Sequence, residues 1–201
     1  MFDRSAIRLI QPAVVRLAQV AHRSGLSANV LTLLGFGIGV LAACLIATGA
    51  FLAGLVALLI SRLCDALDGA VARLTQTTDA GGFLDITLDF LFYGSIPLAF
   101  ALHDPARNAL PAAVLLFTFI GTGSSFLAFA TIAAKRGLHN LNYPDKSFYF
   151  LGGLTEAGET LACFCAMCLW PGHFIELAYG FAALCLLTIF ARLWWGWRTF
   201  A

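Results

Sequence analysis

The sequence predicts an all-α, polytopic membrane protein: six transmembrane helices preceded by an interfacial amphipathic helix. The first observation is composition. Of 201 residues, 60% are hydrophobic and only 11% are charged, far below the roughly 25% charge usual in soluble domains. The second is a series of long apolar runs separated by short polar or Gly/Pro-containing stretches, long enough for most to cross the hydrocarbon core. The third is placement: Trp170, Trp194, Trp195 and Trp197 stand at run ends, where indole rings favour the membrane interface. A net charge of +1 implies no polyanionic partner such as nucleic acid. Length and pattern predict one membrane domain, residues 27–201, after an N-terminal helix at 1–26.

Within residues 1–25, Phe2, Ile7, Ile10, Val14, Leu17 and Val20 recur at helical spacing with Arg4, Arg8, Arg16 and Arg23 among them. That pattern fits a helix lying in the interface, with Pro12 as a potential kink; the rival reading is a helix packed on the membrane bundle. The scattered charges and missing cleavage site argue against a signal peptide. Gly25 is placed to end this helix and Ser27 to cap the next.

The predicted spans are Leu31–Ala50, Leu52–Arg73, Phe83–Leu102, Pro111–Ala134, Phe148–Trp170 and Phe174–Trp195. Gly35, Gly37 and Gly39 in the first, and Gly121, Gly123, Ser124 and Ser125 in the fourth, offer small-residue packing faces. The connections are a turn at Thr75–Gly82 and polar loops at His103–Asn108 and Gly137–Ser147. Six cysteines (44, 64, 163, 165, 168, 185) lie in or beside apolar runs, without a disulfide framework. With the N-terminus cytoplasmic, Arg4, Arg8, Arg16, Arg23, Arg73, Lys135, Arg136, Lys146 and Arg198 fall on or near the cytoplasmic side, and Arg107 falls outside. Both termini are then cytoplasmic, as the positive-inside rule requires.

Chemistry concentrates between residues 64 and 89, C-D-A-L-D-G-A-V-A-R-L-T-Q-T-T-D-A-G-G-F-L-D-I-T-L-D. Asp65 and Asp68 are three apart, Asp85 and Asp89 four apart, so each pair shares a helix face. Four carboxylates brought together at membrane depth repel one another strongly, and a divalent ion relieves that repulsion. Oxygen-only ligands suit magnesium, manganese or calcium. Arg62 and Arg73 are too few to pair all four. Arg62 could screen the carboxylates, hold a phosphate or form a structural ion pair; Gly69 permits close backbone approach to a ligand. Glu156 and Glu159, placed by this reading inside the fifth span, form a second costly carboxylate pair. A transporter would set such groups near the bilayer midplane within inverted repeats, and no repeat is evident. A structural scaffold needs no such cluster.

Asp65, Asp68, Gly69, Ala72, Arg73, Gly81, Asp85 and Asp89 fill, in order, a pattern D-x2-D-G-x2-A-R, spacer, G-x3-D-x3-D. It resembles the signature of the CDP-alcohol phosphatidyltransferase family, with one departure: the spacer Leu74–Ala80 has seven residues where eight is usual. The resemblance implies a membrane enzyme that moves the phosphatidyl group of a CDP-linked lipid, usually CDP-diacylglycerol, to an alcohol and releases CMP. It implies that Asp65, Asp68, Asp85 and Asp89 hold Mg2+ or Mn2+, as two ions, and that Asp89 is general base, with Asp85 beside it. Gly69, Ala72, Arg73, Thr78 and Gly81, with Asp65, Asn29 and Thr32, would line the nucleotide end. Lys135 and Arg136 would suit a phosphorylated acceptor such as glycerol 3-phosphate or inositol phosphate; Glu156 and Glu159 would suit an amino alcohol or an unphosphorylated polyol. The resemblance further implies a homodimer in the bacterial inner membrane, with the site facing the cytoplasm.

Overall fold

The computed structural model describes residues 2–137 and 154–201. Residues 138–153 include most of the predicted Gly137–Ser147 loop, Lys146 and the start of the fifth span; those expectations lie outside the described residues. Among the described residues seven α-helices follow one another: α1 (Phe2–Arg23), α2 (Ala28–Ala47), α3 (Phe51–Leu74), α4 (Asp79–His103), α5 (Pro105–Lys135), α6 (Ala157–Leu169) and α7 (Phe174–Phe200). A 3₁₀ turn at Pro171–His173 leads into α7.

Helix boundaries follow from local chemistry. Gly25, at φ 80°, adopts the left-handed conformation that closes α1, its N–H bonded to the His22 carbonyl. Ser27 caps α2 by accepting the Val30 N–H. Thr78 caps α4 by accepting the Gly81 N–H at 3.1 Å. The predicted turn at Thr75–Gly82 is therefore shorter, since residues 79–82 already form the first turn of α4. The expected loop at His103–Asn108 shrinks to Asp104 alone, because Asp104 accepts the Arg107 N–H and Pro105 occupies the first helical position.

Six helices pack as a closed ring, α3–α2–α4–α5–α7–α6 and back to α3, with α1 laid on α3 and α6. The principal core fills one end of the ring, with Ile46, Leu58, Phe92, Ile96, Phe100, Leu115, Phe164, Met167 and Phe174 all but fully buried. A smaller core of Val14, Ala18, Leu31, Ala70 and Val71 seats α1 at the other end. Connectivity gathers the starts of α2, α4 and α6, and the ends of α3, α5 and α7, at that second end.

α2, α4, α5 and Pro171–Phe200 are long and apolar enough to cross a membrane. α3 has 24 residues but carries Arg62, Asp65, Asp68 and Arg73. α6 has 13 described residues, roughly 20 Å against a hydrocarbon thickness of about 30 Å. Among the described residues the ring thus supplies four helices long and apolar enough to span a membrane.

The α2 glycines explain how α3 and α4 come together. A Cβ at Gly35 would stand 3.0 Å from Cys64 Cβ on α3. One at Gly39 would stand 2.6 Å from Phe92 Cδ2 on α4 and 3.0 Å from Ser61 Oγ on α3. Gly37 faces open space. In α5, Gly121 and Gly123 accept Ile189 and Phe90 in the same way, while Ser124 and Ser125 bond back to carbonyls of their own helix. Substituting Gly39→Ala forces Phe92 or Ser61 to move, so a loss of about 1–3 kcal/mol is expected. A lowered thermal midpoint in detergent checks this; an unchanged midpoint contradicts the close α2–α3–α4 contact.

Candidate active site

The four motif aspartates meet where α3 ends and α4 begins. Asp65, Asp68 and Asp85 each offer a carboxylate oxygen, and these oxygens lie within 4.8 Å of one another. Asp68 is 4% exposed and its Oδ2 has no hydrogen-bond partner. A buried carboxylate oxygen left open beside two further carboxylates is costly without a cation. The donor set is oxygen-only, which suits a hard divalent ion, so the residues present fit one.

Asp89 is engaged differently. Its Oδ1 accepts a hydrogen bond from Arg62 Nη1 at 2.6 Å, and the same nitrogen stands 3.4 Å from Asp65 Oδ1. The guanidinium lies 3.7 Å above the centre of the Phe92 ring, and Nη2 donates to Ser61 Oγ at 3.3 Å. Ser61 in turn donates to the Gly35 carbonyl at 2.7 Å. A cleft lined by Thr32, Gly35, Phe36, Arg62, Asp65, Asp85, Leu88 and Asp89 opens over this arrangement.

The polar residues expected at the nucleotide end converge beside it. The position a Gly81 Cβ would take is 3.0 Å from Thr78 Oγ1 and 3.1 Å from Asn29 Oδ1, so both side chains reach the bare glycine. Thr32 is buried and bonds its own-helix Ala28 carbonyl. Arg73 folds back along α3, its Nη1 3.4 Å from where a Gly69 Cβ would stand. Ala72 is half-buried on the same helix.

At the acceptor end the structure departs from the sequence reading. Glu156 and Glu159 lie at the start of α6 rather than inside a span: Glu156 is the N-cap, and its N–H donates to Glu159 Oε2 at 3.1 Å. A capping box, favoured by the helix dipole, accounts for their spacing of three. Lys135 and Arg136 are exposed, and Arg136 donates to the Phe200 carbonyl at 2.7 Å, tying α5 to the end of α7.

The buried cation at this end is Arg192, 8% exposed. Its Nη1 donates to the Thr122 carbonyl at 2.8 Å, while its Nε has no partner. A turn below, Thr188 Oγ1 meets Thr155 Oγ1 at 3.0 Å, docking the start of α6 on α7. Thr122, whose carbonyl accepts from Arg192, stands beside Gly123, on which Phe90, the neighbour of Asp89, packs. An arginine inside an apolar run is itself a signal of function, and it is the feature that could have drawn attention to Arg192 in the sequence.

The family model for CDP-alcohol phosphatidyltransferase matches residues 26–194. The chain belongs to the CDP-alcohol phosphatidyltransferase family. The transferase is 52% identical to the inner membrane protein YnjF of Escherichia coli K12 over 199 residues, 99% of this chain and 97% of that one. It is 38% identical to the archaetidylinositol phosphate synthase of Methanothermobacter thermautotrophicus over 96 residues, 47% of this chain and 49% of that one. Its fold matches Mycobacterium tuberculosis phosphatidylinositol phosphate synthase PgsA1 with CDP-DAG bound, at a TM-score of 0.73 and 25% identity, covering 92% of this chain and 93% of the other. The manganese and citrate complex of PgsA1 matches at a TM-score of 0.72 and 23% identity, covering 92% and 88%, a likeness of fold. The transferase is accordingly a divalent-metal-dependent phosphotransferase of phospholipid synthesis, and an aspartate cluster stands among its described residues.

Proposed function

We propose that the transferase moves the phosphatidyl group of CDP-diacylglycerol to the hydroxyl of a phosphorylated polyol, such as glycerol 3-phosphate or inositol phosphate, releasing CMP. The observation that carries the acceptor reading is Arg192: a nine-tenths buried arginine, in the last helix of the bundle, whose Nε has no hydrogen-bond partner. A guanidinium there pairs with an acceptor phosphate by charge-assisted hydrogen bonds. The names of the archaetidylinositol phosphate and phosphatidylinositol phosphate synthases, both makers of phosphorylated polyol lipids, support the same class. Lys135, exposed at the end of α5, contributes positive potential at the rim. Glu156 and Glu159 cap α6 and present carboxylate oxygens to polyol hydroxyls.

In this reading Asp65, Asp68, Asp85 and Asp89 hold Mg2+ or Mn2+, which when bound offsets charge on the diphosphate. Asn29, Thr32, Gly69, Ala72, Arg73, Thr78 and Gly81 receive the cytidine and diphosphate: hydroxyls and the Asn29 amide supply hydrogen bonds, and the glycines admit the ligand close to the backbone. Asp89 takes the proton of the attacking hydroxyl as general base, and Arg62 aims its carboxylate into the cleft. Acyl chains stay in the bilayer while the headgroup reacts at the aspartate end of the ring. The enzyme sits in the inner membrane as a homodimer of six-span protomers, residues 27–201. The positive-inside rule places the aspartate end, with both termini, in the cytoplasm. On the exposed polar side of α1, Arg16 and Arg23 then lie at the headgroup level.

An acceptor panel tests this proposal. Purified enzyme, CDP-diacylglycerol and Mg2+ or Mn2+ are offered glycerol 3-phosphate, inositol 1-phosphate, serine, inositol or choline, with lipid products read by mass spectrometry. A phosphorylated polyol should react. Arg192→Gln should raise its KM by about 10- to 100-fold, the loss of a charged hydrogen bond of about 1.5–3 kcal/mol, and leave the KM for CDP-diacylglycerol unchanged. Product from serine or choline in preference, or equal effects of Arg192→Gln on both substrates, contradicts the acceptor reading.

A further inference from the structure

A further cavity, of about 190 Å³, lies at the end of the ring opposite the aspartates, where α4 passes into α5 and the Pro171–His173 turn leads into α7. We infer that it binds the headgroup of a zwitterionic phospholipid, a phosphate ester carrying an ammonium group, from the bilayer leaflet on that side. In the orientation proposed above this is the outer leaflet. The site takes no part in the transferase chemistry and stands whichever acceptor reacts.

The lining offers a group for each part of such a headgroup. Arg107, in the first turn of α5, lines the cavity and forms no ion pair among the described residues. A guanidinium without a carboxylate partner takes a phosphate by charge-assisted hydrogen bonds. Asp104 lines the cavity as well; its Oδ1 accepts the Arg107 N–H, and its Oδ2 makes no hydrogen bond among the described residues. Asn108 is 7% exposed, and its Nδ2 donates to the Phe100 carbonyl at 3.0 Å. That bond fixes the direction of the amide and leaves Oδ1, an acceptor, without a partner among the described residues. Carboxylate and amide oxygens suit an ammonium, and the rings of Phe51 and Phe100, stacked at 5.7 Å, add aromatic faces that attract a cation. A simple anion would be repelled by Asp104 and a simple cation by Arg107, whereas a zwitterion matches both signs. The walls are fixed in place. His103 stands edge-on to Phe51 at 4.8 Å, and Gly49, at φ 86°, makes room for it, since a Cβ there would lie 2.9 Å from His103 Cε1. The surroundings point to a lipid as the source. Leu102 and Leu110, on the two helices that meet at the cavity, are exposed, as is Trp170, which precedes the lining residue Pro171. Exposed leucines beside an indole at a helix end belong at the headgroup level of a bilayer.

Native mass spectrometry of the delipidated full-length enzyme, saturated with CDP-diacylglycerol so that the catalytic cleft is filled, tests this. Phosphatidylethanolamine, phosphatidylglycerol and soluble phosphoethanolamine are titrated separately. Phosphatidylethanolamine should bind most tightly, at one per chain. Arg107→Gln, and Asp104→Asn, which keeps the Oδ1 cap of α5, should each weaken that binding by about 10- to 100-fold, the loss of one charge-assisted contact, while CMP release stays at the wild-type rate. Preference for phosphatidylglycerol overturns the zwitterion assignment, and equally tight binding of soluble phosphoethanolamine overturns the lipid assignment. Both are read on the wild type, even if a variant fails to fold. Unchanged phosphatidylethanolamine binding in the folded variants overturns the site itself. Enzyme that holds phosphatidylethanolamine through Arg107 and Asp104 but releases no CMP would refute the transferase reading alone. CMP release by enzyme that takes up no phosphatidylethanolamine would refute this inference alone.

Discussion

Asp89→Asn should lower turnover by about 10²- to 10⁴-fold, the range of general-base contributions, while CDP-lipid binding stays close to wild type. The substitution keeps the size of the side chain and its hydrogen bond from Arg62, since Oδ1 remains an acceptor. What it removes is the site for the acceptor's proton. The effect therefore belongs on kcat. Single-turnover CMP release, beside equilibrium binding of a CDP-lipid and a thermal melt, separates the possibilities. Turnover within about threefold of wild type, well below the general-base range, would strip Asp89 of the role. Loss of lipid binding in step with turnover would make it a binding residue instead.

Asp68→Asn should act in two opposite directions. Asp68 is the most buried of the three clustered carboxylates and has the oxygen without a partner. Neutralising it removes a metal ligand, so Mn2+ affinity should fall by more than the roughly 10- to 100-fold typical of changes to a ligand's supporting partners, and turnover should be lost with it. Without metal, the same substitution relieves repulsion among buried like charges, so the metal-free variant should melt above the metal-free wild type. Calorimetric Mn2+ titration and melts with and without chelator read both effects. A variant that binds Mn2+ as tightly as wild type, or melts lower without metal, would show that Asp68 is held for some other reason.

The motif was legible because helical geometry converts spacings of three and four into shared faces, and carboxylates at membrane depth have few roles. The glycines of α2 were legible as packing residues, although only the structure shows that Gly35 and Gly39 serve as seats and Gly37 does not. Other features needed tertiary contacts. Arg62 and Asp89 are 27 residues apart, and whether that arginine screens the cluster or claims one member depends on how α3 and α4 lean on α2. Arg192 bonds a carbonyl 70 residues away. Two misreadings, by contrast, lay in local signals. Asp104 followed by Pro105 is a helix start, and Glu156 three residues before Glu159 is a capping box; hydropathy alone masks both by assigning polar residues to loops or costly burial.

CMP release from CDP-diacylglycerol by the purified protein tests the transferase assignment most directly. With Mg2+ or Mn2+ and a reactive acceptor, stoichiometric CMP and a new phospholipid are expected. Chelator should abolish both, and restored divalent ion should recover them. Folded, Mn2+-loaded protein that yields no CMP with any acceptor of the panel, or that conducts ions without consuming nucleotide, would contradict the account.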